Sequence, residues 1–356
     1  MKLRVQNSRR GIALIIVMIV IIVLGVLAGG FAYSMRVEMT LARRANFEPD
    51  LEWIGRSGVE LARFVLAQPI PNEPWDSLDQ KWAGGSGIRP GTQAMNTVPT
   101  ILEEISLENN QVGEGRFSIK IVDAERKMNI NLADEPILKQ ALFLAGVDPS
   151  ASSSIVEAIL DWRDPDDDPR IGGAESAYYL KLDPPYVAKN GPIDDISELL
   201  LIRDITPEMF WGGQSGAGNH LLPHSSQPLA RGRRRLSRDE TDLPPRVGLA
   251  DLFTAISARQ INVNTASAEV LQLVPGVDPL MVQNILRHRG EFPIGPGELA
   301  ALMPGVGQAL FSVRSFTFEV TVDAEIAGVK KQYKAMLRRN SPNSPRDIQV
   351  LYLHGA

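Results

Sequence analysis

The chain has 356 residues, of which 44% are hydrophobic and 22% are charged, and its formal net charge is −5. This length is sufficient for two or three packed domains, and the slightly acidic balance gives no overall attraction to nucleic acid or anionic lipid. The sequence contains no cysteine, which excludes a disulfide framework, a thiolate metal site and a cysteine nucleophile.

The first element is a long uncharged segment near the N-terminus. Four basic residues and no acidic residue precede it: Lys2, Arg4, Arg9 and Arg10. As a helix, residues 11–35 would cross roughly 30 Å of hydrocarbon, and the basic flank predicts that the bulk of the chain lies on the far side of the membrane. A cleaved secretory signal and a plain anchor are the alternatives, but a signal peptide has an apolar core of only about 7–15 residues.

The helical pattern continues beyond this apolar segment. Apolar and small residues recur at spacings of three and four and form one face: Leu51, Ile54, Gly58, Leu61, Ala62 and Val65. We expect a single helix over residues 12–67, with a kink at Pro49 and an end set by Pro69 and Pro71.

Arg9-Arg10-Gly11, followed by an apolar and then an amphipathic helix, resembles the N-terminus of type IV pilins and type II secretion pseudopilins. The resemblance implies a leader at residues 1–11, cleavage between Gly11 and Ile12 by a prepilin peptidase, and methylation of the new N-terminus. Most family members carry a glutamate at the fifth mature position, where this chain has Ile16. A carboxylate in hydrocarbon needs a partner, and in the family that partner is thought to be an assembled neighbour. The missing carboxylate therefore favours the first subunit of a filament, its tip.

The exported part is predicted to contain a sheet that is split along the sequence. Residues 68–127 are expected to be mostly loops with a short helix in TILEEISL, followed by a strand that places Phe117, Ile119 and Ile121 on one face. Residues 313–356 are expected to form two strands around a turn at Ala327–Gly328, and then a last strand in DIQVLYLH. These elements predict an α+β, pilin-like fold, with a long N-terminal helix, an antiparallel sheet and a large helical insertion.

The insertion contains an internal repeat. Residues 130–163 parallel residues 261–289: each copy has Ile-Asn, an apolar helix, Gly-Val-Asp-Pro and a second helix that ends in arginine. The similarity continues from 191–210 to 292–311.

The repeat predicts two helical units, at residues 128–211 and 248–312, joined by a linker at 212–247. The linker is rich in turn-forming residues. Its RGRRRLSR run is compatible with a phosphate-binding patch, although a solvated loop is the favoured interpretation.

The segment DWRDPDDDPRIGGAE has the densest pattern of potential ligands. Asp164, Asp166, Asp168 and Glu175 occupy positions one, three, five and twelve, as the oxygen ligands of an EF-hand loop do. The sixth position is Pro169 rather than glycine, so the backbone path must differ. Asp161, Asp194 and the carbonyl of Arg170 could supply further oxygens. So many carboxylates suit Ca²⁺ better than the smaller Mg²⁺, and a solvated acidic loop is the alternative.

These features together are similar to the minor pseudopilin K (GspK) family of type II secretion. The first feature is the N-terminal helix without the usual glutamate, and the second is a pair of sterile-alpha-motif-like (SAM-like) units within a pilin-like fold. The third is the occurrence, in this order, of the segments ILDWRDPDDDPRIGGAESAYY, AKNGPIDDISELL and INVNTASAEVL. The resemblance implies a tip subunit in the inner membrane, with a cytoplasmic N-terminus and a periplasmic bulk, that initiates pseudopilus assembly and takes part in the export of folded proteins. It also implies calcium binding by the insertion and association with the minor pseudopilins I and J (GspI, GspJ).

An enzyme is not expected. The four histidines are His220, His224, His288 and His354, and two of them lie in the linker. No Ser-His-Asp order, phosphate-binding loop or nucleophile elbow is present. Asp194 and Asp195 are predicted to cap the helix ISELLLI rather than to act as a carboxylate pair.

A membrane-tethered DNA receptor is the main alternative, because INVNTASAEVLQLVPGV resembles a helix-hairpin-helix module. DNA binding needs a basic surround, but residues 128–212 hold six Lys/Arg against sixteen Asp/Glu, and residues 262–311 hold two against four. The sequence therefore predicts a packing module that does not bind nucleic acid. Asn262 and Asn264 are expected to cap the helix that follows them.

Overall fold

The computed structural model describes five stretches of the chain: residues 10–68, 74–85, 104–212, 247–341 and 344–355. Their helices are α1 (Arg10–Ala67), α2 (Glu135–Leu144), α3 (Pro149–Arg163), α4 (Ser176–Tyr179), α5 (Pro207–Trp211), α6 (Leu249–Leu252), α7 (Ala268–Leu271), α8 (Pro279–Glu291) and α9 (Leu299–Leu302). Their strands are β1 (Asn110–Val112), β2 (Gly115–Asp123), β3 (Met128–Asn129), β4 (Phe253–Thr254), β5 (Ile261–Asn262), β6 (Phe311–Ser312), β7 (Thr317–Ile326), β8 (Val329–Ser341) and β9 (Ser344–Gly355).

Helix α1 runs without interruption through Pro49 and ends at Ala67. The expected stops at Pro69 and Pro71 lie outside the described residues. The predicted short helix in TILEEISL also falls partly outside them, and its described part, 104–107, has no helical turn.

A five-stranded antiparallel sheet packs against the C-terminal half of α1. The strand order is β1-β2-β7-β8-β9, and β7 and β8 are joined by the predicted turn, in which Ala327 and Gly328 have φ of 49° and 81°. Positive φ at both central residues is typical of a tight hairpin. Because side chains alternate along a strand, β2 buries Phe117, Ile119 and Ile121 on one face, as predicted.

Two glycines let α1 approach the sheet closely. A Cβ added at Gly58 would lie 2.4 Å from a methyl of Val322, and one added at Gly55 would lie 2.5 Å from the ring of Tyr333. The predicted apolar face of α1 therefore combines buried large residues, such as Leu51 and Ile54, with small residues that set the distance to the sheet.

The helical insertion lies between β2 and β7, which are neighbours in the sheet. It consists of two units with corresponding parts. Helix α2 is capped by Asp134 and α3 by Asp148, while α7 is capped by Ser267 and α8 by Asp278. Each unit also has a two-residue parallel strand pair, β3 with β4 and β5 with β6.

The repeat register differs from the one the sequence suggested. Met128–Asn131, rather than residues 130–133, corresponds to Ile261–Asn264. The amide of Asn131 bonds to both the N–H and the carbonyl of Ile193, and the amide of Asn264 does the same with Ile294. The copies are thus offset by two residues from the sequence alignment. Each copy has two asparagines at alternate positions, and Ile-Asn is the second pair in the first copy (130–131) but the first pair in the second copy (261–262).

The arginines that end the second helices support this register. The guanidinium of Arg163 donates to the carbonyls of Ile130 and Ala133, and that of Arg289 donates to those of Val263 and Ala266. In both units a cation thus satisfies the carbonyls of the turn that leads into the first helix.

Residues just after 248, where the second unit was expected to begin, pack with the first unit. Helix α6 packs against α5 and α2, and β4 pairs with β3, so residues 247–254 complete the first unit. Two-residue strands are too short to give an alternating pattern, so the sequence did not indicate this pairing. Both units contribute to one continuous hydrophobic core, whereas α1 and the five-stranded sheet enclose a second core.

Candidate metal centre

The acidic loop is fixed at both ends by helices. Helix α3 ends at Arg163 and Asp164 follows as its C-terminal cap, while Glu175 immediately precedes α4. Trp162 and Tyr179 are buried and their rings meet edge to face at 5.3 Å. The two ends of the loop are therefore held together by the core of the first unit.

Three of the four predicted ligands come together. Oxygens of Asp164, Asp166 and Glu175 all lie within 4.8 Å of one another. Asp168 is not in this group: its side chain is exposed, and its backbone N–H donates to Asp166 at 3.1 Å. Pro169 stands at the sixth position, where an EF-hand has glycine, and the full set of four ligands stays a prediction.

The cluster holds carboxylate oxygens with unmet bonding capacity. Glu175 is only 2% exposed, and neither of its oxygens has a hydrogen-bond partner among the described residues. Oδ1 of Asp164 is in the same situation. Burial, with the nearby charges of Asp161 and Asp164, raises the pKa of Glu175 to about 7. Buried oxygens without donors are what a hard cation would satisfy, so the residues present fit a calcium ion.

Asp161, on α3, fixes the path of the loop backbone. It is fully buried, burial raises its pKa, and its carboxylate accepts the backbone N–H of Arg170 at 3.2 Å. A Cβ at Gly173 would lie 1.9 Å from an oxygen of Asp161, so only glycine fits where the loop crosses this carboxylate. The structure thus places Asp161, predicted as an extra ligand, beneath the loop and outside the three-residue group.

Other polar contacts hold the outer side of the loop. Asp167 accepts the backbone N–H of Ser176 at 3.2 Å, and hydrogen bonding from Ser176 lowers its pKa. The guanidinium of Arg203 donates to the carbonyl of Gly173 at 2.7 Å. Asp194, another predicted ligand, instead pairs with Lys189 at 2.6 Å, and Asp195 caps the following turn as expected.

A second polar cluster, the junction, joins the insertion to the sheet and was not predicted from the sequence. The side-chain amide of Asn262 lies within hydrogen-bond distance of the Asp76 carbonyl (3.0 Å), Asp123 (3.2 Å) and Ser315 (2.7 Å). Burial raises the pKa of Asp123 well above its usual range. Asn262 and Asn264 do not cap the helix, since Ser267 does, and the predicted role is wrong.

The junction also contains a buried ion pair. Arg339 on β8 donates to both oxygens of Asp76, at 3.2 and 3.0 Å, and the backbone N–H of Ser315 donates to the same carboxylate at 2.9 Å. A signal for the junction was present in the sequence, because strand alternation places Asp123 on the same face as Ile121. A carboxylate on an apolar face implies a buried partner.

The N-terminal segment has the properties of a membrane span. Within the described residues, one helix, α1, contains a stretch long and apolar enough to cross a membrane, and no residue of that stretch is buried. The side chain of Ile16 is exposed. Gly11 and Ile12 lie in the first turn of α1, and cleavage between them stays a prediction.

Two family models match parts of the chain. Residues 115–211 match the model for type II secretion system (T2SS) protein K, and residues 257–294 match the helix-hairpin-helix motif. The first match includes β2 and the acidic loop, and the second includes α7 and α8.

Curated relatives are similar over long stretches. The chain is 23% identical to the type II secretion system protein K of Pseudomonas aeruginosa, over 96% of this chain and 92% of that protein. It is 24% identical to the protein K of Klebsiella pneumoniae, over 72% and 75%. It is 25% identical to the putative protein K of Escherichia coli K12, where the alignment spans 58% of this chain and 61% of that protein.

A solved structure has the same fold. The chain matches one chain of the crystal structure of the GspK-GspI-GspJ complex from enterotoxigenic Escherichia coli with a TM-score of 0.59 and 17% identity, over 88% of this chain and 99% of that chain. The two chains therefore share a fold, although few of their residues are identical. Together, the family model, the curated relatives and the shared fold confirm the resemblance of this chain to type II secretion system protein K.

Proposed function

We propose that this chain is a minor pseudopilin of a type II secretion system, which initiates pseudopilus assembly and takes part in the export of folded proteins across the outer membrane. The observation that carries the proposal is the interrupted pilin-like sheet, in which β2 and β7 are neighbours although the helical insertion separates them in sequence. Alignment with a protein K over nearly the whole chain supports it. This role needs no catalytic residue, and we propose none.

The proposed position is the pseudopilus tip, in a single copy. Ile16 replaces the usual glutamate, and the insertion has a core of its own. We also propose that its two units are SAM-like; they would clash if every subunit along a shaft carried them. Quantitative labelling of sheared pseudopili should find this chain at one end, and labelling along the length would contradict a tip position.

The proposed partners are the minor pseudopilins I and J, because the similar solved chain comes from a complex with GspI and GspJ. The full chain, extracted in detergent, should co-purify with the I and J subunits of the same secretion system as a stable complex. A similarly tagged, unrelated inner-membrane protein is the control. Failure to recover either subunit at micromolar concentration would contradict this assignment.

We propose that the acidic loop binds Ca²⁺ through Asp164, Asp166 and Glu175, and that binding stabilises the first unit. Stabilisation follows RT ln(1 + [L]/Kd), about 2.7 kcal/mol when calcium exceeds Kd a hundredfold. Chelator should lower the melting temperature of the full chain, and calcium should restore it more than magnesium does. Asp166→Asn should abolish the response, while the matched Asp168→Asn should retain it, since Asp168 lies outside the cluster. Equal melting curves with chelator and with calcium would contradict the proposal.

We propose an inner-membrane location, with the residues after the apolar segment in the periplasm, and processing by a prepilin peptidase between Gly11 and Ile12. Gly11→Asp should leave the precursor uncut, because a bulky charged side chain does not fit beside the scissile bond. Mass spectrometry that located the mature N-terminus near Phe31 would instead support a signal peptide.

A second candidate function is DNA binding by the second unit, which its helix-hairpin-helix match favours. Asp278 follows the turn between α7 and α8 and caps α8. Its negative charge would repel a DNA phosphate at that end of the helix. Fluorescence anisotropy with a labelled duplex at low salt tests this function. Binding at submicromolar concentration would favour a DNA receptor.

A further inference from the structure

Arg170 brings a positive charge to the candidate metal centre without entering the three-residue cluster. Its guanidinium lies 3.1 Å from Oδ2 of Asp164 and 3.3 Å from Oδ1 of Asp161. A third carboxylate, on Glu157, lies 4.0 Å away. The positively charged side chain of Arg170 therefore lies beside three carboxylates of the first unit.

The two oxygens of Asp164 are used differently. Oδ2 accepts a hydrogen bond from Arg170, whereas Oδ1 is buried and has no partner among the described residues. Arg170 therefore makes no hydrogen bond to Oδ1 of Asp164 or to the carboxylate oxygens of Glu175. Asp164 is held by the guanidinium and can offer a cation one oxygen rather than two.

We infer that Arg170 is a built-in counter-cation that holds Asp164 in place and weakens the affinity of the loop for Ca²⁺. The inference rests on the calcium site proposed above. A fixed positive charge next to a divalent ion repels it, and the contact with Asp164 prevents bidentate coordination. Weak affinity suits a protein outside the cytoplasm, where calcium-binding modules work at about 10⁻⁴–10⁻³ M.

The side chain of Arg170 can be changed without removing the contact that sets the loop path. That contact is the hydrogen bond from the backbone N–H of Arg170 to Asp161, and any residue except proline retains it. Lys181 provides a matched control, since it belongs to the same unit and is exposed. Lys181→Gln removes the same formal charge.

The test is calcium titration of the full chain in detergent by calorimetry. Arg170→Gln should bind Ca²⁺ about three- to tenfold more tightly than wild type, and raising the salt concentration should reduce the difference. Arg170→Lys, which keeps the charge, should stay within about twofold of wild type, as should Lys181→Gln. The direction is decisive, because loss of a merely structural arginine would weaken binding.

The outcomes separate this inference from the calcium proposal. If neither wild type nor Arg170→Gln binds calcium, the proposed site itself is wrong. If wild type binds and Arg170→Gln binds equally or more weakly, the role of Arg170 is wrong and the calcium site stands. Arg170→Gln could fold only when calcium is bound, because calcium stabilises the folded form. In that case the affinity is measured from the calcium-bound protein, by titrating a chelator of known affinity that competes for the ion.

Discussion

At the scale of single residues, the junction contains a buried pair whose loss should be costly. Asp76 and Arg339 are both nearly buried, and Asp76→Asn would leave the guanidinium without a counter-charge. Removing one partner of such a pair lowers the free energy of unfolding by about 3–5 kcal/mol. Denaturation of the full chain, followed by tryptophan fluorescence, would measure the loss.

Glu52→Gln is the matched control for that measurement. Glu52 pairs with Arg56 one turn along α1, with both side chains more than half exposed. Such a pair contributes about 0.3–0.5 kcal/mol. A loss below 1 kcal/mol for Asp76→Asn would mean that the junction tolerates the lone arginine.

Glu175 should behave unlike an ordinary buried residue when it is replaced. In chelator, Glu175→Gln removes a carboxylate that burial and neighbouring acids disfavour, so the variant should melt about 2 °C above wild type. It should also lose the response to calcium. Scanning calorimetry with and without chelator checks both effects, and Glu135→Gln, an exposed residue of the same unit, should change neither. A variant that melts below wild type in chelator would contradict the repulsion argument.

At the scale of elements, the distance between α1 and the sheet depends on glycine. Gly58→Ala should destabilise the protein by about 1–3 kcal/mol, because its methyl group would overlap Val322. Gly290 in α8 has nothing within 4 Å of an added Cβ. Gly290→Ala should therefore stabilise by up to about 1 kcal/mol through helix propensity. Chemical denaturation should give opposite signs for the two variants; a Gly58→Ala variant at least as stable as wild type would refute close packing at Gly58.

At the scale of the whole molecule, the two helical units should unfold together because they share one core. Asn131→Ala and Asn264→Ala remove equivalent contacts, to Ile193 and Ile294, and each should cost about 1–3 kcal/mol. Calorimetry should show both substitutions shifting the same transition. Two transitions, each moved by only one variant, would mean that the units are separate domains.

The elements with strong patterns were predictable from sequence, and those that depend on tertiary contacts were not. The apolar face of α1 and the alternation in β2 identified the long helix and a sheet strand correctly. The spacing from Asp164 to Glu175 predicted four neighbouring carboxylates, of which three come together and Asp168 lies apart. Ligand spacing assumes an EF-hand backbone path, and this loop has Pro169 where that path needs glycine. The role of Asn262 depends on Asp123 and Ser315, distant in sequence, so no local pattern indicated it.

The position of the insertion between two neighbouring strands has a consequence for how the protein folds. Asp123 and Phe318 face each other across β2 and β7, although 195 positions separate them in the sequence. Closing so long a disordered loop costs entropy and slows pairing, but an insertion that folds first brings the two strand ends together. As the chain is synthesised from its N-terminus, β2 must wait for β7. We therefore expect the sheet to be completed last, after the insertion has folded.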